Sequence, residues 1–224
     1  MCGRFYLDVQ QDELAEYFDL QAAPLLTPRY NIAPSQEIAA VLDGEQGREL
    51  RMFRWGLIPF WAKDEKIGYR TINARAETVE SKPAFRAAFK YRRCLIPASG
   101  FFEWKAEQGG KQPYCIRPQR ASLFALAGLY EHWQGEQGEA IDSCTIIVTE
   151  ANPAMRSIHD RMPVIVKRND FAAWLDPQNR QVGTLKQLLL PWPDDDLDLY
   201  PVNKRVSNPQ NDDPGCIAAI RAQP

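Results

Sequence analysis

The sequence predicts an α+β fold in one domain spanning 2–224. Three observations predict it. Apolar runs of strand length come in groups with short helical stretches between them, which argues against the strict alternation of a doubly wound parallel sheet. Two turn signals, Asp43-Gly44 and Gly109-Gly110, join neighbouring runs as hairpins. The 224 residues carry no internal repeat and no linker-like stretch, and a chain of that length can bury a full core.

Asp8 is placed to cap a first helix running to Leu20, with Gln11 at the capping-box position and Leu14, Tyr17 and Phe18 as its apolar stripe. Pro24, Pro28 and Pro34 predict an extended loop from Gln21 to Gln36. Glu37 to Leu42 and Glu49 to Trp55 read as the strands of the first hairpin. The next stretch, Gly56-Leu57-Ile58-Pro59-Phe60-Trp61, is a loop that either folds back as a lid or stands out as a stacking wedge. Thr71 to Thr78 has no clear period and reads as loop. Ser81 and Pro83 start a helix to about Arg93, with Phe85 and Phe89 on one face and basic residues on the other.

Cys94 to Lys105 is strand-like and turns at Gly109-Gly110 into Pro113 to Arg117. Leu123 to Tyr130 and Ser143 to Thr149 are two further strands. Asn152-Pro153 pairs an N-cap with proline at the first helical position, and this helix finishes near His159. Pro163 to Val166 reads as a short strand, Asn169 caps a helix through Leu175, and Val182 to Leu190 is one more helix before Pro191. Leu199 to Val202 closes the chain as a strand, followed by a loop from Ser207 to Gly215.

Composition excludes some classes. Hydrophobic residues make up 45% and charged residues 25%, as in ordinary globular proteins. No apolar run approaches the roughly 20 residues of a membrane span, and the N-terminus lacks a basic-then-apolar signal order. A cytoplasmic, nucleoid-associated monomer without membrane contact is expected. Five scattered cysteines show neither a disulfide framework nor the spacing of a zinc site, so reduced thiols, no metal and no cofactor are expected. The net charge is −2, yet Arg48 to Arg93 holds twelve lysines and arginines against five acids. That segment is either a phosphate-binding track or a solvated mixed-charge surface.

The chemistry starts at Met1-Cys2-Gly3-Arg4. Removal of Met1 leaves Cys2 with a free α-amine beside its thiol, a pair that can attack an aldehyde twice and close a five-membered thiazolidine. Reference pKa values of about 8 for the amine and 8.5 for the thiol make both nucleophiles partly available near neutral pH. Three polar stretches supply candidate partners. Glu103, among the aromatics of Phe101-Phe102-Glu103-Trp104, is either an inward, desolvated proton carrier or an outward residue on an alternating strand. His159, in His159-Asp160-Arg161-Met162-Pro163, is either a proton-transfer group or a structural histidine. In Asn73-Ala74-Arg75, the amide can hold a substrate oxygen or phosphate and the guanidinium can pair with phosphate.

Cys2-Gly3-Arg4, Arg29-Tyr30-Asn31-Ile32-Ala33-Pro34, Trp55-Gly56, Asn73-Ala74-Arg75-Ala76-Glu77-Thr78, Gly100-Phe101-Phe102-Glu103-Trp104 and His159-Asp160-Arg161-Met162-Pro163 occur in this order. Together they resemble the signature of the SRAP family, the SOS response-associated peptidases or abasic-site processing proteins, over nearly the whole chain. The resemblance implies a bifurcated, mainly antiparallel β-sheet forming a pseudo-barrel with peripheral helices. It implies covalent capture of abasic sites in single-stranded DNA, with a thiazolidine joining mature Cys2 to the deoxyribose aldehyde and shielding the lesion. By the same resemblance, Asn73 orients the sugar or adjacent phosphate, Glu103 shuttles protons at the amine, and His159 protonates the sugar oxygen and helps reverse the adduct. Arg4, Arg75 and Arg161 resemble phosphate contacts, and Pro34 and Trp61 look like the wedge that stacks on bases beside the lesion. The peptidase label implies autocatalytic loss of Met1, which a cellular aminopeptidase can equally perform. Where some members carry a second tryptophan after the one matching Trp61, this chain has Ala62, which removes a stack of roughly 1–3 kcal/mol.

Two other functions fit parts of the pattern. A cysteine amidohydrolase, such as a glutaminase, also begins Cys-Gly and uses its α-amine as base. A non-covalent single-stranded DNA binder needs the basic segment and the aromatics but no nucleophile.

Overall fold

The protein is described by a computed structural model over residues 2–22 and 25–220, so Met1, whose removal the chemistry requires, and Pro24 lie outside the described residues. In chain order these residues form β1 (Phe5–Leu7), α1 (Gln11–Phe18), β2 (Arg29–Ile32), β3 (Glu37–Gly44), β4 (Gly47–Trp55), β5 (Asn73–Arg75), α2 (Arg86–Tyr91) and β6 (Arg93–Ala98). There follow β7 (Gly100–Glu107), β8 (Gly110–Pro118), β9 (Phe124–Gln134), β10 (Ala140–Glu150), α3 (Pro153–Arg156), β11 (Arg161–Pro163), α4 (Phe171–Leu175), α5 (Val182–Gln187) and β12 (Leu197–Pro201).

Two sheets share these strands. The first has the order β12-β8-β7-β1-β2 and is antiparallel throughout. In the second, β10 pairs with β4, β4 with β3, β3 with β6, β6 with β9, and β9 returns to β10, so five strands close on themselves. β5 and β11 extend this sheet along β10. Among the named strands of the described residues only the β4 and β5 pairings with β10 are parallel, so the mainly antiparallel pseudo-barrel with peripheral helices is the architecture observed.

Sequence explains which strands sit centrally. Every residue of β6 is buried, because one side faces the barrel interior and α2 and α4 pack nearby. The two predicted hairpins hold, with β3 and β4 paired from Glu37–Arg54 to Gly44–Gly47. One continuous core then links both sheets, from Phe5 and Phe101 through Trp55 to Ile146 and Trp174.

Several expected elements differ, each for a physical reason. Asp8 caps nothing: its N–H donates to Ser99 Oγ at 3.0 Å, and α1 starts two residues after Asp8's neighbour Val9, with Gln10 as N-cap. The proline-rich loop contains β2, and the aperiodic Thr71–Thr78 stretch contains β5. In both, buried backbone groups find ladder partners that the side-chain pattern does not advertise. Cys94 to Lys105 is two strands, broken at Ser99, where the chain leaves the barrel for the other sheet. Gly100 permits that passage, since a Cβ there would lie 2.5 Å from the Tyr6 ring.

Helix α2 is short, and Arg93 is not on a basic outer face. Its buried guanidinium donates to the carbonyls of Phe89, Lys90, Trp174, Asp176 and Asn179, tying the end of α2 to α4. The N-cap before α4 is Asp170 rather than Asn169, α5 stops at Gln187, and the strand expected at Pro163–Val166 is Arg161–Pro163, with Ile165 in an isolated bridge. The Asn152 cap is as expected: its Oδ1 accepts from Met155 N–H at 2.9 Å, and its Nδ2 donates to Trp192 O. Asn152→Ala is expected to cost about 1–2 kcal/mol, read as a lower thermal midpoint.

Candidate active site

Cys2 lies just before β1 and is fully buried. β1 is held on both sides, with Phe5 opposite Phe101 of β7 and opposite Ile32 of β2. The bond from Phe102 N–H to Arg4 O continues the β7 register toward the terminus and brings Gly3 beside Glu103. Burial pushes the Cys2 thiol well above its ordinary pKa, and the charge of Glu103 pushes it further. Burial therefore works against the thiolate that the sequence reading takes as partly available, and holds the thiol's proton more tightly than in a solvated cysteine.

Glu103 takes the inward reading. It is 2% exposed and, by alternation along β7, shares the face of Phe101 rather than that of Phe102. Desolvation raises its carboxyl above the usual range, opposed in part by His159. His159 stands between α3 and β11, with Nε2 4.0 Å from Glu103 Oε2. Its Nδ1 has a partner for either tautomer: the Arg161 N–H at 3.0 Å donates to a bare Nδ1, and Asp160 Oδ1 at 2.8 Å accepts from a protonated one. Both ring nitrogens can thus exchange roles without stranding a proton.

Asn73 is carried by β5, whose pairing with β10 sets it opposite Ile146. Its Nδ2 donates to Ile72 O at 3.0 Å, while its Oδ1 is buried with no hydrogen-bond partner among the described residues. An orphaned buried acceptor calls for a donor, so it suits a sugar hydroxyl better than a phosphate oxygen. Contacts connect it to the nucleophile's strand: Phe5 packs edge-on against Trp55 at 5.3 Å, and Trp55 Nε1 donates to Ile72 O at 2.8 Å.

The arginines divide into free and occupied. Arg4 donates to Gly3 O and Ser207 O and has no carboxylate partner among the described residues. Arg75 is exposed with no ion pair among them. Arg161 instead pairs with Glu77 through a short contact. Of the twelve basic residues from Arg48 to Arg93, five sit in ion pairs with acids and Arg93 is buried. The exposed, unpaired remainder among the described residues is Lys63, Arg70, Arg75, Lys82, Arg86 and Lys90. Half the segment is thus ordinary paired or buried structure, and the other half is exposed and without an ion pair among the described residues.

The loop after β4 is also divided. Leu57 and Ile58 are buried, while Phe60 and Trp61 are 59% and 48% exposed, which favours a wedge on a folded base. Gly56, at φ +135°, lets that base lie against Gly68, where a Cβ would come within 2.6 Å of the Gly68 carbonyl. Pro34 is half-buried in a turn closed by Gln36 N–H donating to Ala33 O. Ser35 in that turn has φ +73° and donates its N–H to Trp55 O.

Sequence reading missed a support behind the site. Asn31 is fully buried, and its Nδ2 reaches the carbonyls of Val206, Asn208 and Asn211. Asp212 accepts from the N–H groups of Tyr30 and Asn31 and from Arg29. The loop held this way presents Ser207, whose O accepts from Arg4 and whose Oγ accepts from Trp104 Nε1 at 3.1 Å. A buried asparagine between Tyr30 and Ile32 was the only signal, and its partners are about 180 residues away. A cavity of about 670 Å³, lined in part by Tyr6, Asp8, Ser99 and Arg117, opens on the opposite side of β1 from Phe5 and takes no part in this constellation.

Comparison with known proteins agrees over most of the chain. The family described as SOS response associated peptidase (SRAP) matches residues 1–209. The abasic site processing protein YoaM of Bacillus subtilis is 48% identical over 215 residues, which cover 94% of this chain and 95% of that protein. The abasic site processing protein HMCES of Xenopus tropicalis is 34% identical, with 98% of this chain and 78% of the relative covered. A crystal structure of a protein from Bacteroides thetaiotaomicron superimposes with a TM-score of 0.88 at 27% identity, covering 98% of this chain and 100% of that one.

Proposed function

The chain belongs to the SOS response associated peptidase (SRAP) family, and from that premise we propose that it captures abasic sites in single-stranded DNA as a thiazolidine on Cys2. One observation carries the proposal. The residue that can hold an α-amine and a thiol on adjacent carbons is buried beside a desolvated carboxyl, with an imidazole 4.0 Å behind it.

The steps follow from that arrangement. With Met1 gone, the Cys2 amine adds to the aldehyde carbon of the ring-opened deoxyribose, and loss of one water gives an imine. The thiol then adds to the same carbon; its proton passes through Glu103, and the ring nitrogen ends as a secondary amine. Aminothiol and aldehyde therefore give thiazolidine and one water. A carboxyl whose pKa burial raises suits this relay, since it holds a transferred proton more readily than a solvated carboxylate and can return it. His159 serves the sugar oxygen in ring opening and, in the reverse direction, in release. The orphaned Asn73 Oδ1 accepts from a sugar hydroxyl. Arg4 and Arg75 supply phosphate contacts, Arg161 does so only by leaving Glu77, and Pro34 and Trp61 stack beside the lesion. A thiol whose ionisation is disfavoured by burial fits a nucleophile that follows the amine better than a thiolate attacking glutamine.

The test mixes the purified protein with single-stranded DNA carrying one abasic site, followed by a denaturing gel and intact-mass analysis. The expected product has the mass of the protein without Met1 plus the DNA, less one water, and is absent with undamaged DNA. Failure to form it overturns the proposal.

A further inference from the structure

The ion pair between Glu77 and Arg161 spans β10. Val148 of β10 stands opposite Arg75 of β5 on one side and Pro163 of β11 on the other. Glu77 lies in the turn that ends β5, where Thr78 N–H donates to Arg75 O. Its carboxylate therefore joins the strand that carries Asn73 to the strand that follows His159. Both backbones are pinned: Arg161 N–H donates to His159 Nδ1 at 3.0 Å, and Lys186 Nζ donates to Glu77 O at 3.4 Å. Both side chains are partly exposed, so they can part while the strands stay in place. Beside Arg161 a cavity of about 600 Å³ opens, lined also by His159, Arg156, Glu150 and Asp160.

We infer that Glu77 stands in for a DNA phosphate: with no strand bound its carboxylate occupies Arg161, and a phosphate of the bound strand takes its place. The inference rests on the proposed reading of Arg161 as a phosphate contact and adds what that contact has to displace. Three features carry it. A guanidinium holds carboxylate and phosphate oxygens through the same fork of donors, so the two anions compete for it. The cavity gives a phosphate room to reach Arg161 next to His159, the residue assigned to the sugar oxygen. The fixed charges there also favour a closed pair, since the carboxylates of Glu77, Glu150 and Asp160 outnumber the guanidiniums of Arg156 and Arg161. Arg75 differs, being exposed with no ion pair among the described residues, and meets a strand without displacing an acid. Once freed, the Glu77 carboxylate repels the phosphate that replaced it. Glu77 is thus a positioning residue that acts through Arg161 and loosens the hold on every strand, damaged or not.

The experiment titrates fluorescently labelled, undamaged single-stranded DNA with the protein at several salt concentrations and reads anisotropy. Glu77→Gln, which keeps the shape and removes the charge, is expected to bind about fivefold more tightly, the scale of one partly exposed ion pair. It should also steepen the dependence of log affinity on log salt by about 0.7, because the single-strand phosphate contact of Arg161 is no longer offset by a released carboxylate. A carboxylate that merely braced the strands would leave that slope alone. Glu77→Asp keeps the charge and should keep the wild-type slope. With Arg161→Gln already in place, Glu77→Gln should gain no more than about twofold, from the loss of a screened repulsion. Unchanged or weaker binding by Glu77→Gln, or an equal gain without Arg161, overturns the inference. The wild-type protein is tested in parallel on a strand with one abasic site by intact mass. Absence of the adduct there overturns the Cys2 reading, and the titrations on undamaged strand still decide the role of Glu77.

Discussion

Cys2→Ser is expected to abolish the denaturation-stable adduct while leaving an imine that borohydride traps. Serine keeps the α-amine and nearly the same volume, so the first bond to the aldehyde carbon still forms in protein from which Met1 has been lost. The second bond needs the sulfur. A hydroxyl is a far weaker nucleophile than a thiol, and Glu103 has to remove a much less acidic proton from it. The measurement is a pair of denaturing gels, with and without borohydride, on the same binding reaction. Equal stable crosslinking by Cys2→Ser would show that the thiol closes no ring.

Glu103→Gln is expected to slow crosslinking by about 10²–10⁴-fold, the usual range for a positioned acid–base group, without preventing DNA binding. It is also expected to raise stability near neutral pH. The sign follows from the direction of its shift. Burial raises the carboxyl's pKa in the folded protein above the unfolded value, so the folded state binds the proton more tightly. The stability this gives is complete below the unfolded pKa of about 4.3 and is lost as pH rises through the folded one. Glutamine carries no such charge. The thermal midpoints of the two proteins should converge at acid pH and separate as pH rises, with the variant higher. Equal midpoints across that range would mean the carboxylate bears no burial cost, and an unchanged crosslinking rate would remove Glu103 from proton transfer.

The candidate nucleophile and the types of its candidate partners were legible in the sequence because each depends on a side chain's own chemistry. Glu103 facing inward was not, since pattern alone cannot say which face of β7 the barrel covers. The hairpins were legible from Gly-containing turns, whereas β1, β2 and β5 were hidden because three- and four-residue strands owe their existence to neighbours distant in sequence. The basic segment misled in part for the same reason: Asp142 and Glu131, which neutralise Arg51 and Arg92, lie on strands far down the chain. The upward push on the Cys2 thiol was not legible, because reference pKa values describe solvated groups and this side chain is buried.

The attachment point sits at the head of β1, inside a sheet and not at its edge, with β7 on one side and β2 on the other. That placement has a mechanical meaning once DNA is joined to Cys2. A motor pulling on the strand delivers its load to residue 2, and within a few residues the pull is shared between two ladders. Beyond them, the tug is taken up by Asn31 and Asp212, which pin β2 to the far C-terminal loop. A tether on a fraying terminus would peel off one bond at a time; this one has to shear several together.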